Sequence, residues 1–75
     1  MREPAIYRIR VLGCIDATWS DRLEGMNITE AKHHSGKVET ILVGRLSDQA
    51  ALSGVLNTIY ELHLPVLSVK NLDEK

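Results

Sequence analysis

The sequence predicts a ferredoxin-like α+β domain, in which a four-stranded antiparallel sheet carries two helices on one face in the chain order βαββαβ. Three patterns support this fold class. Apolar and polar side chains alternate over residues 6–15, and apolar residues recur at helical spacing over residues 48–62. Between them, Ser35-Gly36 separates two further strand-like segments.

The first strand is predicted from Ile6 to Ile15, because its side chains alternate with the period of a half-buried strand. Arg8 and Arg10 then lie on the face opposite to the core. The residues expected to face the core are Tyr7, Ile9, Val11 and Ile15.

A short helix is predicted after Asp16, which can cap it, and Gly25 can end it in the left-handed conformation. Trp19 is expected to bury its ring against the sheet. Only residues 16–26 join the first two strands, which is close to the minimum of about 10–12 residues for a crossover that includes a helix. The alternative is a three-stranded meander plus a helix and a fourth strand, with residues 17–24 as a loop.

Ser35-Gly36 is predicted to form a two-residue hairpin turn, because glycine accepts a positive φ without steric cost. This turn predicts a register in which Lys32 and Glu39 form a favourable cross-strand pair. The expected partners are His33 and Val38, Lys32 and Glu39, Ala31 and Thr40, Thr29 and Leu42, and Ile28 and Val43. A three- or four-residue loop would shift this register.

The second helix is predicted from about Asp48 to Leu62, with Asp48 in the first turn, where it suits the helix dipole. Pro65 favours an extended conformation for Leu64, so the helix ends there and residues 66–69 form the last strand. The stripe expected to face the sheet consists of Leu52, Val55, Leu56, Ile59 and Leu62.

The 75 residues are expected to form one domain, with residues 1–5 and 71–75 as flexible tails. Nine Lys and Arg residues oppose ten Asp and Glu residues, so no global field would attract nucleic acid or an acidic membrane. No apolar run suggests a signal peptide or a membrane span. Cys14 is the only cysteine, which excludes an intrachain disulfide and is typical of the reducing cytoplasm.

The candidate reactive groups lack the companions that catalysis or metal binding requires. His33 and His34 are adjacent, so they should face opposite sides of a strand and not share a metal. Asp16 should raise the pKa of the nearby Cys14 thiol, and His63 is expected to cap the helix end. We therefore predict no catalytic residue, no metal and no cofactor.

Two surfaces are predicted to remain for partners, because contiguous exposed apolar area commonly marks an interface. The binding surface on the open sheet face comprises Arg8, Arg10, Ile28, Ile41 and Val43. The interface surface on the outer side of the second helix comprises Ala50, Ser53, Gly54 and Asn57. Two alternatives remain open. Ile41 and Val43 belong to the core if the register differs, and Gly54 packs against the short helix or is merely tolerated.

The chain also resembles a group of small bacterial α+β proteins with no established activity. The residues that carry the resemblance are Asp16, Thr18 and Trp19, then Gly36, then Asp48 to Leu52 with Gly54, and finally Leu64 to Val69. The resemblance covers nearly the full length and implies the fold, without an activity to transfer.

We expect a non-enzymatic binding or regulatory module that self-associates, as a homodimer, through one of the two surfaces. The alternative is a small enzyme or accessory subunit with an anion-binding site between protomers, in which Arg8 and Arg10 form an anion clamp and His33 or His34 acts as acid or base. Two further partners are possible: a protein that docks on the aliphatic open sheet face, or a small anionic metabolite.

Overall fold

The computed structural model describes residues 4–73, in which four strands and two helices follow one another in the predicted order. The strands are β1 (Ala5–Leu12), β2 (Asn27–Lys32), β3 (Val38–Leu46) and β4 (Val66–Asn71). A 3₁₀ helix (Ala17–Leu23) joins β1 to β2, and α1 (Gln49–Glu61) joins β3 to β4.

The strands form one sheet in the order β2-β3-β1-β4, and every neighbouring pair is antiparallel. β1 is therefore a central strand that pairs with β3 on one side and β4 on the other. The α+β class and the four-stranded antiparallel sheet are confirmed. The meander alternative is wrong, because β3 lies between β1 and β2.

The β2–β3 register differs from the predicted one by one residue. Lys32 pairs with Val38, and Ile28 pairs with Leu42. The His33 amide donates to the Lys37 carbonyl at 2.7 Å, so the loop contains three residues, 34–36, and not two. Such loops place a residue of positive φ last, and Gly36 has φ +89°.

This shift reverses the faces of β2, because side chains alternate along a strand. Ile28 packs against the core instead of lining the open sheet face, so its assignment to the binding surface is wrong. The predicted pair of Lys32 and Glu39 is also wrong. Glu39 lies opposite Ala31 and Leu12.

One apolar core lies between the sheet and both helices. Its fully enclosed members come from every element except β2 and β4, and they include Ile9, Leu23, Met26, Leu42, Leu46, Val55 and Ile59. The alternation predicted for β1 is confirmed as far as Leu12: Ile9 and Val11 are buried and Tyr7 packs beside them. Ile15 is also buried, but the strand ends at Leu12 and not at Ile15 as predicted. Trp19 is partly buried and packs against the same core.

The helix prediction is confirmed to within one residue at each end. Asp48 is the N-cap, and its Oδ1 accepts the Ala51 amide at 2.8 Å. Val55 and Ile59 are buried, while Leu52, Leu56 and Leu62 of the predicted stripe are partly buried against the core. Ala51 is a further buried residue that the stripe did not include.

The ends of the described chain contribute to the sheet. Ala5 and Asn71, which the sequence prediction placed in the tails, belong to β1 and β4. Residues 1–3 and 74–75 of those tails lie outside the described residues. Neither helix within residues 4–73 has the length and apolar character needed to cross a membrane.

Candidate functional site

The open face of the sheet brings together four of the five residues predicted for the binding surface. Arg8 lies directly opposite Val43, and Arg10 lies opposite Ile41. Ile41 and Val43 are half-buried on this face, away from the enclosed core. Ile41 and Val43 therefore lie on the open face, because Thr40 and Leu42 between and beside them face the core. Their role in binding stays a prediction.

Arg10 is committed to an ion pair within the chain. Its Nε donates to Glu39 Oε2 at 2.7 Å and its Nη2 donates to Oε1 at 3.1 Å, so the two groups form a fork. The hydrogen bond from Arg10 lowers the pKa of Glu39, and the same bond raises the pKa of Arg10. Arg10 is thus occupied, and a clamp that uses both arginines is not formed.

Replacing Glu39 by Gln should cost stability in a pH-dependent way. The folded-state pKa of Glu39 is lowered, so its stabilising effect is present above the unfolded pKa of about 4.3 and is lost as pH falls through the folded value. The difference in unfolding free energy between the native chain and Glu39→Gln should therefore shrink from about pH 7 to about pH 3.

Urea unfolding across this pH range measures the difference. Arg10→Gln serves as the matched variant, because it removes the other half of the fork and should show the same convergence at low pH. A difference that stays constant with pH for both variants would contradict the assigned pairing.

Arg8 differs sharply from Arg10, although both lie on the same face of β1. Its Nε is buried and meets no hydrogen-bond acceptor within the described chain. Lys70 of β4 lies directly opposite Arg8, and Arg45 lies opposite Ile6, one diagonal step away on the same face. Arg8 therefore has two cations, Lys70 and Arg45, as cross-strand neighbours on this face.

An open apolar groove of about 800 Å³ runs between α1 and β4 on the helix side of the sheet. Leu56, Asn57 and Tyr60 form its helix wall, and Val66 and Val69 form its floor on β4. Tyr60 is 81% exposed, and Val66 and Val69 are each more than 40% exposed. The groove exists because α1 does not cover β4, which sequence reasoning did not foresee.

The groove ends at the turn that leaves α1. His63 has φ +58°, its amide donates to the Tyr60 carbonyl at 3.0 Å, and the Leu64 amide reaches the Ile59 carbonyl at 3.5 Å. These two bonds are the Schellman motif. The backbone therefore supplies the cap that was predicted for the His63 side chain, and His63 also lines the groove.

The small residues predicted as an interface lie on the exposed side of α1, and only Asn57 among them lines the groove. A Cβ at Gly54 would meet no heavy atom within 4 Å in the described structure. Packing of the 3₁₀ helix against Gly54, one of the alternatives, is therefore wrong.

The family model for a domain of unknown function, DUF8691, matches residues 6–70. The chain belongs to the DUF8691 family. No curated protein and no solved structure matches it. The match runs from β1 into β4, so the groove and the cationic cluster around Arg8 both lie inside the DUF8691 domain.

The remaining reactive groups of the DUF8691 domain are held in local contacts. The Cys14 thiol donates to Glu30 Oε2 at 2.7 Å, and this bond, more than the nearby Asp16, raises the pKa of the thiol as predicted. The prediction that His33 and His34 face opposite sides of a strand is wrong, because their ring centroids are only 4.1 Å apart. Within residues 4–73, no three His, Cys, Asp or Glu side chains are grouped to hold a metal.

Proposed function

We propose that this domain is a non-enzymatic binding or regulatory module that self-associates as a homodimer through the free edge of β4 and the groove beside it. One observation carries the proposal. Residues 4–73 expose seven large apolar side chains, and five of them lie on α1, on β4 or directly after β4. These are Tyr60, Val66, Leu67, Val69 and Leu72.

The two edges of the sheet differ in a way that supports pairing at β4. β2 places the charged Glu30 and Lys32 along its edge, and charges on an edge strand discourage pairing with another chain. β4 has the sequence VLSVKN, with three exposed aliphatic residues and one charge. An edge of this kind is a template for a further strand.

The hydrogen-bond ladder indicates which backbone groups of β4 are available. The Leu72 amide donates to the Ile6 carbonyl at 2.7 Å. Because the two directions alternate along an antiparallel ladder, the amides of Lys70 and Ser68 also point towards β1. The amides of Val69 and Asn71 then point away from the sheet, towards the free edge.

A second copy of the chain fits this edge. Two β4 strands that pair antiparallel across a two-fold axis form an isologous interface and extend the sheet to eight strands. Because Val66 and Val69 form the floor of the groove on the helix side of the sheet, their side chains in both copies lie on the helix side of the joined sheet. The valines of one copy then lie next to the groove of the other. This arrangement removes water from both grooves, which supplies the hydrophobic gain.

The topology also supports assigning the domain to the ferredoxin-like fold. β1 and β2 are parallel with β3 between them, and β3 and β4 are parallel with β1 between them, as in interleaved split βαβ units. The 3₁₀ helix in place of a first α-helix is the departure. A reducing cytoplasm is the proposed compartment, because Cys14 is the only cysteine and is free.

Sedimentation equilibrium tests the homodimer. The native chain should associate in a concentration-dependent manner, and Val69→Lys should be monomeric, because a charge at the paired edge cannot be buried without a partner. Asn27→Lys places the same charge on β2, the opposite edge strand, and should dimerise as the native chain does. A native chain that is monomeric at high micromolar concentration, or equal weakening by both variants, would contradict the proposal.

Gly54→Ala separates the β4 edge from the small-residue surface of α1. Alanine at this open helix position should raise the unfolding free energy by roughly 0.8–1 kcal/mol, without changing association at β4. A dimer that dissociates in Gly54→Ala would place the interface on the outer side of α1 instead.

A further inference from the structure

We infer that the open sheet face holds a binding site for a small oxyanion, a carboxylate or a phosphate, centred on Arg8 and completed by Lys70 and Arg45. The site lies within one protomer and does not depend on the homodimer. It uses the face of the sheet opposite to the groove.

Arg8 carries an orphaned donor. Arg8 Nε is buried without an acceptor within the described chain, and leaving a donor in this state is unfavourable. Arg10, two residues further along β1, shows that this face can provide an acceptor for a guanidinium, because Glu39 accepts from its Nε and Nη2. An oxyanion would supply to Arg8 what Glu39 supplies to Arg10.

The charges around Arg8 are arranged to repel one another. Like charges directly opposite each other on neighbouring strands are destabilising, yet Arg8 lies opposite Lys70 with Arg45 one diagonal step away. Glu39 is already paired with Arg10, and the Asp73 carboxylate beyond β4 accepts the Ile6 amide at 3.0 Å. A bound anion between the three cations would turn this repulsion into attraction.

The chemistry of the arginine side chain indicates the class of ligand. A guanidinium presents two parallel N–H donors, through Nε and one Nη, that match the two oxygens of a carboxylate or a phosphate. Lys70 would add a mobile point charge from the neighbouring strand. The Arg8 side chain must turn towards solvent to expose Nε, and ligand binding would provide the reason for this movement.

Titration with inorganic phosphate and, separately, with acetate tests the site through amide chemical shifts and thermal stability. We expect saturable amide chemical-shift changes at Arg8 and Lys70 with at least one anion. The affinity of Arg8→Gln for that anion should be lower by about tenfold or more. Arg8→Lys should bind with intermediate affinity, because it keeps the charge and loses the fork. Lys37→Gln, the same charge change next to the hairpin loop, should bind as the native chain does.

Two further outcomes make the site distinguishable from a structural arginine and from the homodimer. Without anion, Arg8→Gln should melt at a higher temperature than the native chain, because an unpaired cation is removed. Val69→Lys should retain anion binding even where it abolishes dimerisation. Absence of saturable binding to both anions, or equal binding by Arg8→Gln and the native chain, would overturn the inference. Preference for acetate or for phosphate identifies the ligand as a carboxylate or a phosphate.

Discussion

Replacing Thr40 by Val should lower the unfolding free energy by about 2 kcal/mol or more. Thr40 is completely buried, and its hydroxyl donates to the Gly13 carbonyl at 2.6 Å while accepting the Ile15 amide at 3.2 Å. Valine has nearly the same shape but removes the partner of the buried Ile15 amide and of the part-buried Gly13 carbonyl. A domain of this size has only about 3–5 kcal/mol from its core, so the loss is a large part of the total.

Urea unfolding monitored by Trp19 fluorescence measures this loss. Thr40→Ser is the matched control, because it keeps the hydroxyl and removes only a methyl group, worth about 1 kcal/mol. Thr40→Val should therefore be clearly less stable than Thr40→Ser. The reverse order would show that the hydroxyl does not hold the end of β1.

Replacing Gly13 by Ala should destabilise the domain by about 2 kcal/mol or more, from two separate causes. Gly13 has φ +116°, which side chains rarely permit, and an added Cβ would lie 2.8 Å from Leu64 Cδ2. The backbone has little room to move away. The Gly13 amide donates to the Val38 carbonyl at 2.8 Å, and its carbonyl accepts from Thr40.

Gly36→Ala separates the two causes. Gly36 also has a positive φ, but a Cβ there would meet nothing within 4 Å in the described structure, so its cost should be the backbone part alone, about 1–2 kcal/mol. A double-mutant cycle of Gly13→Ala with Leu64→Ala should recover the contact part. Equal losses for Gly13→Ala and Gly36→Ala would contradict the close approach of Leu64.

Features with a local cause could be predicted from the sequence. Asp48 caps the helix through an atom three residues away, and Pro65 favours the extended segment that follows the helix, so both ends of α1 could be placed from short-range chemistry. The alternation in β1 likewise encodes which face meets the core. These signals are sufficient for the α+β class and for most of the buried stripe.

The features that decide the candidate surfaces depend on distant residues. Ser35-Gly36 is compatible with a loop of two or three residues, and the one-residue difference moved Ile28 to the core side. Arg8 and Arg10 have similar local sequences, yet among residues 4–73 only Arg10 forms an ion pair, with an acid 29 residues away in the chain. Predicting the groove would have required the position of α1 across the sheet, which depends on tertiary packing.

Amide hydrogen exchange at Val69 and Asn71 tests the proposed self-association most directly, because these amides point to the free edge of β4. Exchange at both should slow markedly as protein concentration rises from low micromolar to near millimolar. The exchange rates of the Glu30 and Lys32 amides, on the opposite edge, should not change with protein concentration. Rates at Val69 and Asn71 that do not change with concentration, or protection that develops at β2 instead, would contradict the β4 homodimer.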